Sequence, residues 1–528
     1  MSINPGLDRI TLLLSRFPPL TIPVIHLAGT NGKGSVSALL DSTLLTGGYQ
    51  TGRFNSPHLI SAEDCIRLNG QPCQRTVYDK VREEVKRVDK EIESGASLFE
   101  VLTVTALQIF ERYRDALEGT KLDVLVIECG MGGTQDATNV FPAELVLACV
   151  LTSVDLDHQA FLGNTIEAIA RTKAGIVKEK GVLVVGLQTH QEDVGRIVKS
   201  LGKEREADIV WANRAFIGME EREELKSVSG QVVITPLPRS SSFSSLSSSS
   251  SSAAAAASTL SSQLSLLKAA CSTSSSIDDN NNVQALESFI STYSSNPVPI
   301  LISQLPLPGS HQRDNLSLAL SVLDTLRSHR KPLSIIPSFK SRLTDEVIKT
   351  GIRETVWEGR CSWVPLEDLP THLSSLLTVH EGKRILVDGA HNHASATLLR
   401  SYIDSLHCSS SSTAPIHPTT FIISLSHSPP KTPHETLSPL IRSGDRVALV
   451  NFTTPIEGMP WVRPCPLDEV ADVGRGLVGP TGDVWVTTES NGLERAVQWA
   501  VEGAKDGLIV VCGSLYLVAD LYRLVRGL

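Results

Sequence analysis

The sequence predicts an α/β protein of two units, each built on a largely parallel β-sheet. Three observations predict it. Short continuous apolar runs alternate with segments of helical spacing, first up to about residue 235 and again after Leu305. Such runs suit strands covered on both faces, as parallel strands are. A serine tract separates the two alternating stretches: 19 of the 37 residues from Ser240 to Ser276 are Ser. Finally, 41% hydrophobic and 20% charged residues over 528 positions supply large cores and are too apolar for a disordered chain.

The elements follow in order. Val24–Ala28 reads as a short buried strand, followed by a glycine-rich turn and then helical spacing from Ser35 to Thr46, which Gly47-Gly48 ends. Leu122–Ile127, Leu145–Leu151 and Val182–Val185 read as further buried strands. Thr165–Val177 reads as a helix with Thr165 as its N-cap, whose hydroxyl can accept from one free N–H of the first turn. In the second half, strands are expected at Ile385–Val387, Phe421–Leu425, Val447–Val450, Val484–Val486 and Leu508–Val511, with a helix at Gly492–Ala504. The tract around 238–296 is expected to be a disordered insertion, because low-complexity serine cannot offset the entropy of ordering. A smaller insertion is expected at Cys408–Pro418 and a loop at Ser428–Pro433. The domains are therefore placed at 1–310 and 311–528.

Charge and cysteine usage exclude several classes. The formal net charge is −9, which disfavours a protein that binds nucleic acid by neutralising phosphates. No apolar run reaches the roughly 18 residues of a membrane span. The start, MSINPGLDRITLLLSRF, lacks the order of a secretory signal and has too few arginines for a mitochondrial leader, so a cytoplasmic location is expected. The nine cysteines are scattered, without a C-x-x-C pair, as expected of reduced thiols.

The strongest chemical signal is Gly29-Thr30-Asn31-Gly32-Lys33-Gly34-Ser35, between a strand and a helix. Glycines let backbone N–H groups approach phosphate oxygens, the helix N-terminus adds partial positive charge, and Lys33 can reach the outer phosphates. It departs from the strict G-x-x-x-x-G-K-[ST] loop at Leu27 and Gly34, and a plain glycine turn with an exposed lysine is the other reading. Glu128 ends an apolar strand and enters Cys129-Gly130-Met131-Gly132-Gly133. A carboxylate there stands where open α/β sheets bind ligands, and one carboxylate beside phosphates suffices for Mg²⁺; the bland alternative is a strand-end Glu facing solvent. His158, in Thr152-Ser153-Val154-Asp155-Leu156-Asp157-His158, can ligate a metal, bond a phosphate, or be structural. Lys173 lies in a helical segment and by itself is a lysine on a helix face. Later come Leu307 to Asn315 (LPGSHQRDN), Gly359-Arg360, and a strand ending at Asp388 followed by Gly389-Ala390-His391-Asn392. A strand-end Asp can accept ribose hydroxyls, and Arg360 can pair with phosphate.

Together these stretches resemble the folylpolyglutamate synthase and dihydrofolate synthase family, within the Mur-type ATP-dependent amide ligases. The resemblance is carried by HLAGTNGKGSVSALL, SPHL, SLFE, ECGMGGTQDATNV, LTSVDLDHQAFLGNTIEAIARTKAGIVK, LPGSHQRDN, WEGRCSW and VDGAHN, in family order over roughly residues 6 to 400. The serine tract has no counterpart in that pattern. The resemblance implies an N-terminal P-loop, Mur ligase-like domain and a smaller C-terminal Rossmann-like domain, with ATP between them. It implies that Ser56, Glu128, His158 and Lys173 hold Mg²⁺, Lys173 as a carbamate. It implies ATP contacts from Asn31, Gly32, Lys33, Gly34, Ser35, Asn315, Arg360, Asp388 and His391, and puts Lys33, His158 and Lys173 in the catalytic centre. Ser97, Phe99, Glu100, Asp136 and Thr138 lie where the family handles its pterin substrate.

The activity implied is ligation of L-glutamate to dihydropteroate through an acyl phosphate, by a cytoplasmic monomer with no nucleic-acid or membrane partner. The short start resembles fungal-type monofunctional dihydrofolate synthases. Chain extension of tetrahydrofolate, alone or as a second activity, is the alternative within the class. A P-loop NTPase switch is the alternative outside it, which the second α/β half disfavours.

Overall fold

The computed structural model describes residues 6–112, 121–156, 159–213, 216–218, 231–236, 300–307, 309–370, 373, 382–408, 418–427, 432–454, 462–489, 491–504 and 507–528. The expected insertion at 238–296 and His158 lie outside them. The chain divides into two compact units, one of residues 1–56, 66–306 and 312–356, the other of 57–65, 307–311 and 357–528.

The first unit carries an eight-stranded sheet in the order β4-β3-β2-β5-β1-β6-β7-β8. The strands are β1 (Val24–Ala28), β2 (Thr51–Phe54), β3 (Ile66–Leu68), β4 (Gln71–Pro72), β5 (Val124–Glu128), β6 (Val146–Leu151), β7 (Val182–Val185) and β8 (Asp208–Trp211). All neighbours are parallel except at the β2-β3-β4 edge, which is antiparallel. Every residue of β1, β5, β6 and β7 is buried, which is why each reads as an unbroken apolar run. From β1 the chain passes beyond β5 to reach β2, while β5 leads to β6 on the other side of β1. The strand order therefore reverses at β1, and the carboxyl ends of β1, β5 and β6 frame the crevice where such sheets bind ligands.

The helix Lys33–Thr46 follows β1 and is itself largely buried, with Val36, Leu39, Leu40 and Leu44 in the core. The helix Asp345–Arg353 lies against it so closely that a Cβ on Gly351 would stand 2.4 Å from Thr43 Cα, and Ser42 Oγ donates to the Gly351 carbonyl at 2.7 Å. Gln312 on Ser35, Arg342 on the Gly47 carbonyl and Phe339 against Tyr49 likewise tie 312–356 to the first unit, and the compact units divide after Val356 where the sequence placed the division at residue 310.

A small antiparallel sheet joins β9 (Phe216–Gly218), β10 (Gln231–Pro236) and β11 (Ile300–Leu305). Pro236 and Ile300 are register partners, so the long serine-bearing segment leaves and returns at one end of a paired ladder. Closure entropy grows only logarithmically with loop length. Deleting 240–276 is therefore expected to leave the melting temperature within about 3 °C of the full chain, by calorimetry. Aggregation of the deletion variant would show that the segment has a structural role.

The second unit carries a six-stranded sheet in the order β12-β13-β17-β14-β15-β16. Its strands are β12 (Ser362–Pro365), β13 (Arg384–Val387), β14 (Thr420–Ile423), β15 (Arg446–Leu449), β16 (Asp483–Val486) and β17 (Ile509–Cys512), all parallel except β12. Side-chain alternation splits its core into two layers. Ile385, Val387, Ile422, Ala448, Ile509 and Val511 face helices Gly492–Ala504 and Leu515–Arg526. Leu386, Phe421, Ile423, Val447, Leu449 and Val510 face helices His393–Cys408 and Leu467–Val478. The loop expected through Pro433 ends one residue earlier: Thr432 and Glu435 form a capping box, and Pro433 opens the helix Pro433–Leu437, where its missing N–H costs nothing.

Candidate functional site

The turn between β1 and the helix Lys33–Thr46 has the backbone of a phosphate cradle. Gly29 (φ 146°) and Gly32 (φ 90°) occupy conformations that side chains disfavour. There is also no room for one. A Cβ on Gly29 would fall 1.8 Å from Thr152 Oγ1, and one on Gly32 would fall 2.1 Å from Asn315 Oδ1. The turn is tied to the end of β6: Thr30 N donates to the Ser153 carbonyl at 2.7 Å, and Asn31 bridges Ser153. Gly32→Ala is expected to weaken binding of a non-hydrolysable ATP analogue by roughly tenfold or more, since the left-handed backbone alone disfavours Ala by about 1–2 kcal/mol. Titration calorimetry checks this, and unchanged affinity would remove Gly32 from the cradle.

Three charged groups converge on that turn. Lys33 Nζ donates to the carbonyls of Gly29 (3.1 Å) and Thr30 (3.2 Å) and lies 3.8 Å from Glu128 Oε1. Lys173 Nζ, buried at 2% exposure, donates to the same Gly29 carbonyl at 2.9 Å. Glu128, at the end of β5, is buried, and its Oε2 accepts from Asn55 Nδ2 at 2.6 Å. Asn55 Nδ2 also donates to Ser37 Oγ at 2.7 Å, which joins the strand end to the helix. From the other side, Gln312 Nε2 donates to Ser35 Oγ at 3.2 Å, and Asn315 Nδ2 donates to Gln312 Oε1 at 2.9 Å.

The structure thus brings Asn31, Gly32, Lys33, Gly34, Ser35, Glu128, Lys173 and Asn315 together. Ser56 is half-buried next to Asn55, and His158 lies outside the described residues. Among the described residues no group of three or more His, Cys, Asp or Glu forms a metal cluster. The donors nevertheless fit Mg²⁺, a hard cation that takes few protein oxygens and completes its shell with phosphates and water. Glu128 supplies a carboxylate, and Thr152 Oγ1 is buried with no hydrogen-bond partner among the described residues.

Beside this cluster, the loop from Cys129 to Asn139 is organised by one carboxylate. Asp136 Oδ2 accepts from Met131 N at 2.7 Å, while Oδ1 accepts from Thr138 N at 3.0 Å and Thr138 Oγ1 at 2.6 Å. Burial raises the Asp136 carboxyl above its usual range, against these hydrogen bonds. Phe99 covers the loop: a Cβ on Gly130 would meet its ring at 2.3 Å. Ser97 and Glu100 form a capping box on the helix Leu98–Glu111, and Glu100 Oε2 also accepts from Arg9 Nε at 3.0 Å. In this geometry those two residues orient the helix start, and Phe99 is the one laid against the loop.

In the second unit, Asp388 follows β13 and holds two turns at once. Its Oδ2 accepts from Cys361 N at 2.7 Å and its Oδ1 from Ala390 N at 2.8 Å. These turns carry Arg360 and His391, and His391 Nδ1 lies 2.8 Å from the Gly389 carbonyl. Burial beside Asp388 lifts the Cys361 thiol well above its usual range, so it is no nucleophile.

Sequence reasoning missed Asn55, Thr152 and Gln312. Asn55 closes a buried strand immediately before Ser56, Thr152 follows another, and Gln312 sits inside LPGSHQRDN, so strand ends and motif neighbours were the available signals.

The fold and the turn define a P-loop α/β protein with a second α/β unit, the Mur-ligase-like architecture. A family model described as dihydrofolate synthetase, C-terminal domain, matches residues 374–524. The dihydrofolate synthetase of Saccharomyces cerevisiae is 29% identical over 526 residues, covering 99% of this chain and 98% of the yeast protein. The dihydrofolate synthase/folylpolyglutamate synthase of Bacillus subtilis is 37% identical over 196 residues, 36% of this chain and 43% of its own. The folylpolyglutamate synthase of Mycobacterium tuberculosis, solved with ADP and AMPPCP, superposes with a TM-score of 0.65 at 22% identity, over 99% of this chain and 95% of its own. The chain is thus similar over nearly its whole length to the yeast dihydrofolate synthetase, and over about a third of it to the Bacillus dihydrofolate synthase/folylpolyglutamate synthase.

Proposed function

We propose that this protein joins L-glutamate to dihydropteroate with ATP, giving dihydrofolate, ADP and phosphate. The observation that carries the reading is the end-to-end similarity to a yeast dihydrofolate synthetase, where the match to the bifunctional bacterial protein covers about a third of the chain.

The chemistry suits the residues. A carboxylate is a poor acylating agent, so its oxygen takes the γ-phosphoryl group of ATP and ADP leaves. The glutamate α-amine then attacks the acyl carbon and phosphate departs. Phosphoryl transfer depends on positioning and charge neutralisation more than on a protein nucleophile. Gly32, Gly34 and Ser35 present the turn and helix start to the triphosphate, and Lys33 faces its outer phosphates. Mg²⁺, when bound, would neutralise the phosphate oxygens, and Ser56, Glu128, His158 and Lys173 are the residues assigned to hold it. Arg360, Asp388 and His391 form the nucleotide-contacting group of the second unit, and Asn315 contacts the nucleotide beside Gly32. Phe99, Asp136 and Thr138 form the wall for the pterin, with Ser97 and Glu100 behind them.

The acid is selected by distance. The p-aminobenzoyl carboxylate and a glutamyl γ-carboxylate lie at different reach from the pterin, so a rigid pterin wall favours one of them. Purified protein with ATP and labelled glutamate is expected to incorporate label with dihydropteroate and little or none with tetrahydrofolate. Comparable incorporation into tetrahydrofolate would make the enzyme bifunctional. ADP formation without acid or glutamate would instead indicate an NTPase switch.

We place the protein in the cytoplasm as a monomer. Cys65, Cys73, Cys129, Cys149, Cys361, Cys465 and Cys512 are free and buried, as in a reducing compartment, and no described helix is long and apolar enough to cross a membrane.

A further inference from the structure

His26 lies in the middle of β1, three residues before the phosphate turn, and is fully buried. Its Nε2 stands 2.8 Å from Thr138 Oγ1 and 3.2 Å from Cys129 Sγ, so it touches both ends of the loop that Asp136 organises. The proton positions can be worked out. Thr138 has one hydroxyl proton, and the 2.6 Å bond to the Asp136 carboxylate takes it. Thr138 Oγ1 must then accept from His26, so Nε2 carries the imidazole proton. Nδ1 is left as a bare lone pair, in agreement with its having no hydrogen-bond partner among the described residues. Burial, with the Lys178 ammonium nearby, pulls the His26 pKa down to about 3, so the ring is neutral at any working pH. Lys178 in turn donates to the carbonyl (3.3 Å) and side-chain oxygen (2.8 Å) of Asn139, fixing the loop's far end.

We infer that His26 is a positioning residue: as its Nε2–H tautomer it holds Thr138, and through it the 129–139 loop, in register with the strand that leads into the phosphate turn. The strand thereby fixes the distance between the pterin wall and the transferring phosphoryl group, the distance on which selection of the acid depends. The inference rests on the reading of Asp136 and Thr138 as facing the pterin acid.

His26→Leu removes the donor, whereas His26→Gln keeps an N–H near the place of Nε2. His26→Leu is expected to raise KM for dihydropteroate roughly tenfold, with KM for ATP within about twofold. His26→Gln is expected to recover most of that loss. Equal defects in both variants, or a parallel rise in both KM values, would overturn the inference. If His26→Leu does not fold, Thr138→Val against Thr138→Ser tests the same bond from the loop side, with the same split expected. Amide hydrogen exchange at Met131 and Thr138 separates the two readings. Unchanged exchange in His26→Leu overturns the positioning role. Faster exchange with an unchanged KM for the acid upholds that role and overturns the substrate reading of the loop.

Discussion

Lys33→Ala is expected to lower kcat by about two to three orders of magnitude, the loss seen when one preorganised contact to developing charge is removed. The reason is in the placement of the ammonium. Two carbonyls of the turn, Gly29 and Thr30, hold Lys33 Nζ beside Glu128, so its position is set by the turn itself. A charge held before the reaction need not be reorganised during it, which is where such groups gain their effect. Binding of ADP should suffer less than turnover, because the glycine-rich backbone and the helix start still offer N–H groups to the inner phosphates. The two bonds Lys33 makes to the turn raise a rival explanation, loss of loop order. Lys33→Met separates them: it keeps the aliphatic stem and loses the charge, and should be as inactive as Ala with an unchanged melting temperature. Near-normal turnover in either folded variant would refute the assignment of this turn to the phosphates.

The parts of the fold that sequence reading recovers are those where one local property decides. Strands β1, β5, β6 and β7 are buried on both faces and therefore read as apolar runs, and the helix Gly492–Ala504 appears with the bounds its spacing gives. Thr165 caps its helix as expected, accepting from Ala168 N. What escaped depends on tertiary contact. β9 is only three residues long, β10 and β11 mix polar and apolar residues, and all three are strands by pairing, β9 with β10 and β10 with β11 across the serine-bearing segment. The helix Asp345–Arg353 packs on the first unit, with Gly351 close against Thr43, a tertiary contact that no composition shift announces. At the site, the glycines, Lys33 and Glu128 were legible because chemistry and strand ends coincide there. The bonds from Asn55 to Glu128 and from Gln312 to Ser35 were not, since each joins residues far apart in the chain. Ser97 and Glu100 show the reverse case: S-x-x-E is also a capping-box pattern, and the structure gives both residues that role.

Lys173→Ala is expected to lose most turnover, and a small carboxylate such as acetate or formate is expected to restore part of it. The charge balance at the turn motivates this. Lys33 and Lys173 both place an ammonium on the Gly29 carbonyl, and the carboxylate of Glu128 lies 3.8 Å from Lys33 Nζ. Two like charges on one acceptor in a buried site are unfavourable, and the set carries a net positive charge that repels a metal cation. Carbamylation reverses that balance: the neutral amine adds CO₂, forms an N–C bond and releases a proton, leaving an anion on Lys173. The turn then holds one cation and two anions, a set that suits Mg²⁺. A lysine that is 2% exposed is also shielded from the water that would hydrolyse the carbamate. Activity is not the only readout. Protein equilibrated with ¹³C-bicarbonate is expected to show one carbamate carbonyl resonance that Lys173→Ala lacks. Lys173→Arg keeps the bond to Gly29 without a carbamate, so it should be inactive if the anion matters and active if the ammonium is only a strut for the turn. A crystal structure at high bicarbonate with a bare Lys173 amine on the Gly29 carbonyl, together with an active Lys173→Arg variant, would assign this residue to the turn's architecture instead.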